Sequence, residues 1–176
     1  MKKSYLAAFV ALDIIVITGV ALWFWKNDGF AYDKKPIHYH AGFQVYVDNQ
    51  KQDFSDFKYM HVNPCGDDHR DEVTSESEQL EKAHLHDGNG DVVHIHREAA
   101  IWNDLFQNIN YTLPADVQGY INGQFVPQVL SMPIIENASA VFLVGENIDI
   151  PAKVALRVTQ DRIKEVEAMS EKCAGE

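Results

Sequence analysis

A-H-L-H-D-G-N-G-D-V-V-H-I-H, residues Ala83 to His96, carries four of the chain's eight histidines in fourteen residues. They form two His-x-His pairs around a turn-rich D-G-N-G-D. Side chains on a strand alternate between faces, so His84 shares a face with His86, and His94 with His96. Leu85, Val93 and Ile95 fall on the other face. The loop length decides how these faces meet. A two-residue Asn89-Gly90 turn sets His84 and His86 opposite Val93 and Ile95, mixing imidazole and aliphatic groups on both faces. A three-residue loop, Gly88 to Gly90, sets His84 opposite His94 and His86 opposite Val92. All four histidines then share one face and the apolar set the other. Burial of one face fixes register, so the three-residue loop is the expectation. It brings neighbouring imidazoles about 5 Å apart.

A third pair lies upstream in P-I-H-Y-H-A-G-F-Q-V-Y-V. Ile37, Tyr39, Ala41, Phe43, Val45 and Val47 alternate with His38, His40, Gly42, Gln44 and Tyr46, which reads as a half-buried strand with its histidines outside. One such pair is ordinarily solvated histidine. Three pairs on alternating strands point instead to His38, His40, His84, His86, His94 and His96 as ligands of a transition metal, with zinc and copper the expected ions. No cysteine stands beside them, which argues against a zinc-finger site. Asp87, Asp91 and Glu98 are candidates to support the imidazoles from behind. The D-x-N-x-D spacing also resembles the start of a calcium loop, with Glu98 at its twelfth position. However, Val92 stands where that loop needs glycine, and His84-Leu85-His86 reads as strand where a helix is needed.

The chain has 176 residues, 46% of them hydrophobic, and a net charge of −11. Such acidity argues against a nucleic-acid partner and raises the local concentration of cations. Residues 1–26 read as a transmembrane anchor. Tyr5 to Trp25 would span roughly 31 Å as a helix. Lys2 and Lys3 place the N-terminus in the cytoplasm, and Trp23, Phe24 and Trp25 form an aromatic belt. A cleaved signal peptide is the alternative, but the apolar run is long for one and no clear A-x-A site follows. Either reading puts the rest of the chain outside the cytoplasm. Asp13, near the middle of this segment, faces a partner helix or is protonated.

Residues 27–36 read as a linker, 37–150 as the histidine-rich domain and 151–176 as a C-terminal helix and tail. Asp48-Asn49 suits a turn, with Lys51 to Phe57 returning as a strand. Lys58 to Lys82 reads as a long loop with a helical turn at Ser75 to Leu80, and His61 and His69 as solvated loop residues. Ala100, Ile101, Leu105, Phe106 and Ile109 have helical spacing within an amphipathic helix from Arg97 to Asn108. Glu98 would begin that helix. Asn122-Gly123 between strand-like runs predicts a hairpin. Ala140 to Val144 reads as a buried strand, and Pro151 as the start of one helix through Lys172. Cys65 and Cys173, the only two cysteines, are expected to pair outside the cytoplasm. A redox-active pair or thiolate ligation of the metal is the rival reading.

This α+β order of hairpin, loop, strand, helix, hairpin, strand and helix resembles the β-grasp layout of ubiquitin-like domains. Ile101 to Gly145 is similar to the second half of a sulfur-carrier protein: helix, N-G-x-x-V-P hairpin, terminal strand. No terminal Gly-Gly follows, so a carrier role does not transfer. The histidine framework resembles an uncharacterised group of bacterial membrane-anchored proteins that share H-x-H-A-x-F-x-V-Y, H-L-H-D-G-x-G-x-V-x-H-x-H and an amphipathic helix. Some of that group carry a protein-disulfide isomerase label, which finds no Cys-x-x-Cys here. The resemblance implies a shared metal site and no known activity.

Three functions compete. The first is metal capture or handling at the outer face of the membrane. The second is a structural metal site in a domain that binds another protein. The third is a histidine-metal hydrolase or oxidoreductase, for which no recognisable catalytic motif is present. The shared-face register carries its own test. Replacing His86 and His94 together by alanine is expected to abolish metal binding and leave the far-ultraviolet circular dichroism near native. Unchanged stoichiometry and affinity would refute the register.

Overall fold

The computed structural model describes residues 37–60 and 75–169, except the side chains of Glu76 and Ser77. The expected anchor and linker, both cysteines, His61 and His69 lie outside the described residues. Among the described residues no helix is long and apolar enough to cross a membrane. The elements in chain order are β1 (Tyr39–Val47), β2 (Gln50–Lys51), α1 (Ser75–Lys82), β3 (Val92–Ile95), α2 (Trp102–Asn108), β4 (Gln118–Ile121), β5 (Gln124–Val126), β6 (Ser139–Val144), α3 (Ile150–Ala155) and α4 (Gln160–Ala168).

All six strands join one mixed sheet in the order β2-β1-β6-β4-β5, with β3 also paired to β1. β1 lies parallel to β6, with Phe43 opposite Ala140 and Val45 opposite Phe142. Its other edge is divided: β3 runs antiparallel along Tyr39 to Gly42, and β2 along Tyr46 and Val47. Two short turns close the hairpins. Asp48 and Asn49 take φ of 46° and 71°, and Asn122 and Gly123 take 51° and 88°. Two successive left-handed residues match the right-handed twist of paired strands, which is why Asn and Gly occupy them.

The two faces of the sheet have different partners. On one, Ala41, Phe43 and Val45 of β1, Val93 and Ile95 of β3, and Ala140 and Phe142 of β6 join Leu85 in the main core. α2 lies over this face and buries Trp102, Leu105 and Phe106. Trp102 and Phe106 meet Phe142 edge-on at 5.5 and 4.9 Å. A fully buried aromatic side chain contributes about 1.5–3 kcal/mol, so this cluster anchors the helix to the sheet.

The second face is also covered, a correction to the half-buried strand expected for β1. Val158, Ile163 and Val166 pack on Val92. At Gly42 a Cβ would come within 2.5 Å of Val158 Cβ, so only glycine lets this segment lie flat on the sheet. Further along, Tyr46, Val141 and Leu143 form a smaller cluster with Ile150. The histidines occupy the remaining end of this face.

Three expected elements are shorter than their patterns suggested. The return strand ends at Lys51, because Phe54 turns into the core while Asp53 Oδ1 accepts the Ser55 N–H at 2.9 Å. The helix expected from Arg97 starts at Trp102. Ala99 is left-handed, with φ 58°, and the Asp104 carboxylate accepts the Ile101 N–H at 2.9 Å. The single C-terminal helix is two. The chain breaks after Ala155, buries Val158 against Gly42, and restarts where Thr159 Oγ1 accepts the Arg162 N–H at 3.2 Å.

Gly90 fixes where the D-G-N-G-D loop sits. A Cβ there would lie 2.3 Å from the Ser55 backbone nitrogen and 2.5 Å from the Phe54 carbonyl carbon. Backbone cannot swing aside as a flexible side chain does. Gly90→Ala is therefore expected to destabilise the fold by about 1–3 kcal/mol, read as a lower denaturation midpoint. An unchanged midpoint would refute this close approach.

Candidate metal centre

The strand register brings the three histidine pairs together. His84 and His94 form an antiparallel bridge, each backbone N–H donating to the other's carbonyl at 3.0 Å. This is the expected pairing of His84 with His94, but it is an isolated bridge: His84-Leu85-His86 is not a strand, and the His86 carbonyl accepts the Asn89 N–H at 3.0 Å in place of the expected pairing with Val92, so the tight three-residue hairpin does not form. On the other side of β3, His40 lies opposite His94 and Tyr39 opposite Ile95. His40, His94 and His84 thus form one row across three neighbouring segments. His38 and His96 form the next, their rings stacked at 5.2 Å with 10° between planes.

His94 is the hub. Its ring centroid lies 4.5 Å from His38, 4.6 Å from His40, 5.0 Å from His84, 4.6 Å from His86 and 4.3 Å from His96. Two triads offer nitrogens within 4.8 Å of one another: His38, His40 and His94, and His84, His94 and His96. A tetrahedral ion with nitrogens at about 2.0–2.1 Å would hold them roughly 3.3 Å apart, so ring rotations of an ångström or so would close either triad.

These imidazoles are not the solvent-facing groups that strand alternation alone predicts. His84 and His94 are 1% exposed, His40 is 2% and His86 is 9%, whereas His38 is open to solvent and His96 partly so. The paired rows cover one another. Burial pushes the His40 pKa down to about 4, reinforced by the charges that His38, His86 and His96 would carry. Burial and then His38 lower His96 to about 4, against a raising hydrogen bond with the Ile37 backbone. His94 is held far below its ordinary value, by burial first and then by His84, His96, His86 and His40. Desolvation disfavours imidazolium, and a metal needs the neutral ring, so the cluster is kept in its ligating form.

Neighbouring groups fix which nitrogen faces inward. The Leu80 carbonyl can only accept, so the 3.1 Å contact assigns the proton to His84 Nδ1 and the lone pair to Nε2. Asp87 Oδ2 does the same for His86 at 2.7 Å, the carboxylate–imidazole arrangement that orients metal ligands. His86 Nε2 then lies 2.5 Å from His94 Nδ1. With the His86 proton on Nδ1, its Nε2 accepts, so His94 Nδ1 carries the proton and donates it, leaving the His94 lone pair on Nε2.

The other two supporting carboxylates are placed differently. Asp91 is held by Arg162, Nη2 to Oδ1 at 3.2 Å and Nε to Oδ2 at 3.3 Å. Asn89 accepts from the same guanidinium at 3.1 Å. With Asp87 on His86 and the other two oxygen donors on a cation, D-x-N-x-D is a clamped turn and not a calcium loop. Glu98 sits exposed in the turn before α2, so it does not begin that helix.

Sequence reasoning missed two positioning residues. Arg162 grips the loop from 71 residues away. Asn108 Nδ2 donates to the Gln79 and Ala83 carbonyls at 2.8 Å each, tying the end of α1, and hence Leu80 and His84, to α2. No local pattern marks either residue; polarity on the buried side of α2, at Asp104 and Asn108, was the available hint. Comparison with family models, curated proteins and solved structures gives no match for this chain.

The lowered pKa values set a pH dependence. The unfolded chain takes up imidazole protons as pH falls through about 6.5, whereas His40 and His96 in the folded chain resist until about 4. The unfolded state therefore binds more protons in that window, and stability rises with pH there. The metal-free protein is expected to hold its full stability above about pH 6.5 and to lose it progressively toward pH 4. Thermal melts from pH 7 to 4.5 check this; a constant Tm would refute it.

Proposed function

We propose that this chain is a membrane-anchored, extracytoplasmic protein that binds a transition metal, zinc or copper, and captures or handles it at the outer face of the membrane. The observation that carries the metal reading is the meeting of two histidine triads on His94. His84 and His86 are already set in the required tautomers by Leu80 and Asp87. An all-imidazole donor set suits zinc and copper and not calcium or magnesium. The net charge of −11 favours cation capture. The membrane location rests on the apolar run from Tyr5 to Trp25, and the kinship with bacterial H-L-H-D-G-x-G-x-V-x-H-x-H proteins on the motif itself. A β-grasp-like reading of the domain is supported by the central parallel pair β1 and β6 with a hairpin on each side. A Cys65–Cys173 disulfide belongs to the same extracytoplasmic reading.

A second reading has its own support. His40, His84 and His94 are nearly inaccessible and come from three separate segments. An ion on the first triad would staple β1 to β3, and one on the second would staple β3 to the segment after α1, as a structural metal does in an interaction domain.

The test is elemental analysis of the full chain, purified without a histidine tag. At least one equivalent of zinc or copper supports metal binding. None, even after incubation with either metal and desalting, refutes it. Asp87→Ala is expected to weaken binding by 10–100-fold, through loss of the His86 orientation. Release to a chelator within minutes favours handling; retention for days with a large rise in Tm favours the structural site.

A further inference from the structure

The two triads have one member in common and no other. His38 and His40 reach His94 from the start of β1 and the residue before it, whereas His84 reaches it from the opposite side of β3, with His96 just past the end of β3. His94 Nδ1 is the nitrogen that faces the Ala83-to-His86 segment, at 2.5 Å from His86 Nε2. An imidazole has two ring nitrogens pointing in divergent directions, so a ring between two donor sets can serve both. Each triad also has the same construction. One member, His38 or His96, reaches solvent, and the remainder are buried. The two solvent-reaching rings stack against each other.

We infer that the cluster holds two transition-metal ions bridged by His94, one on His38, His40 and His94 and the other on His84, His94 and His96. His86 is near enough to His94 to join the second ion. In the two-ion state His94 ligates through both nitrogens, and its remaining ring N–H proton is released to solvent. This rests on the proposed metal binding and adds stoichiometry and the bridging residue. A bridging imidazole also explains why six histidines converge where three suffice for one tetrahedral ion with an open position.

The experiment loads the full chain with zinc or copper(II), desalts it, and measures bound metal per chain together with its native mass. Two equivalents are expected for the unaltered protein. His40→Ala and His84→Ala should each retain one, and His94→Ala should hold neither ion tightly. One equivalent in the unaltered chain overturns the bridge while leaving metal binding intact; none overturns metal binding itself. Two equivalents that survive His94→Ala also overturn the bridge. Where His94→Ala fails to fold, by circular dichroism, the copper(II) form of the unaltered chain decides. Two ions joined through one imidazolate couple magnetically, so the paramagnetic resonance intensity should fall below half that of two independent ions. Full intensity from two bound copper(II) ions would overturn the bridge.

Discussion

The structure depends on β3 being paired on both edges in a register that sets His94 between His40 and His84. Strand parity is unforgiving: a shift of one residue on either side would carry imidazoles into the main core and aliphatic groups out of it. The apolar alternation of Leu85, Val93, Ile95, Ala41 and Phe43 therefore does two things at once. It builds the core beneath α2, and it forces every histidine of the three pairs onto the opposite face. The geometry of the histidine cluster follows from hydrophobic burial on the opposite face.

That opposite face needs its own support, and polar contacts from distant elements supply it. Arg162 holds Asn89 and Asp91, while Gly90 lies against the Phe54–Ser55 backbone. Together they pin the turn between the two His-x-His pairs from both sides. Asn108 ties the end of α1 to α2, and the adjacent Leu80 carbonyl sets the His84 tautomer. Each contact joins elements remote in sequence, so the imidazoles are held by the assembled domain and not by the hairpin alone. Such support from outside the ligand set is what holds a metal site to its geometry.

Burial gives the cluster its chemical character. Exposed histidines would be partly protonated near neutral pH and would repel a cation. Packed as two rows under their own rings, beside the Val92, Val158 and Ile163 contact, His40, His94 and His96 stay neutral. The exposed His38 and the partly open His96 leave a route to solvent. Two buried, neutral imidazole triads are thereby positioned so that they could hold a metal ion.

Sequence alone determined the period-two alternation that puts His38, His40, His84, His86, His94 and His96 on one face. It also determined the pairing of His84 with His94, and the Asp48-Asn49 and Asn122-Gly123 turns. All of these are local: they rest on side-chain parity and backbone preference within a few residues. Element ends were less legible. Ala99 and Val158 look like helix formers, and only their tertiary setting puts one in a left-handed turn and the other against Gly42. The tertiary structure alone decided that His40 meets His94, that Asp91 serves Arg162 and not a histidine, and that the imidazoles are buried. Those outcomes depend on which strand pairs with which and on what packs above them. Both are settled by burial summed over the whole domain, which no single stretch of the chain encodes.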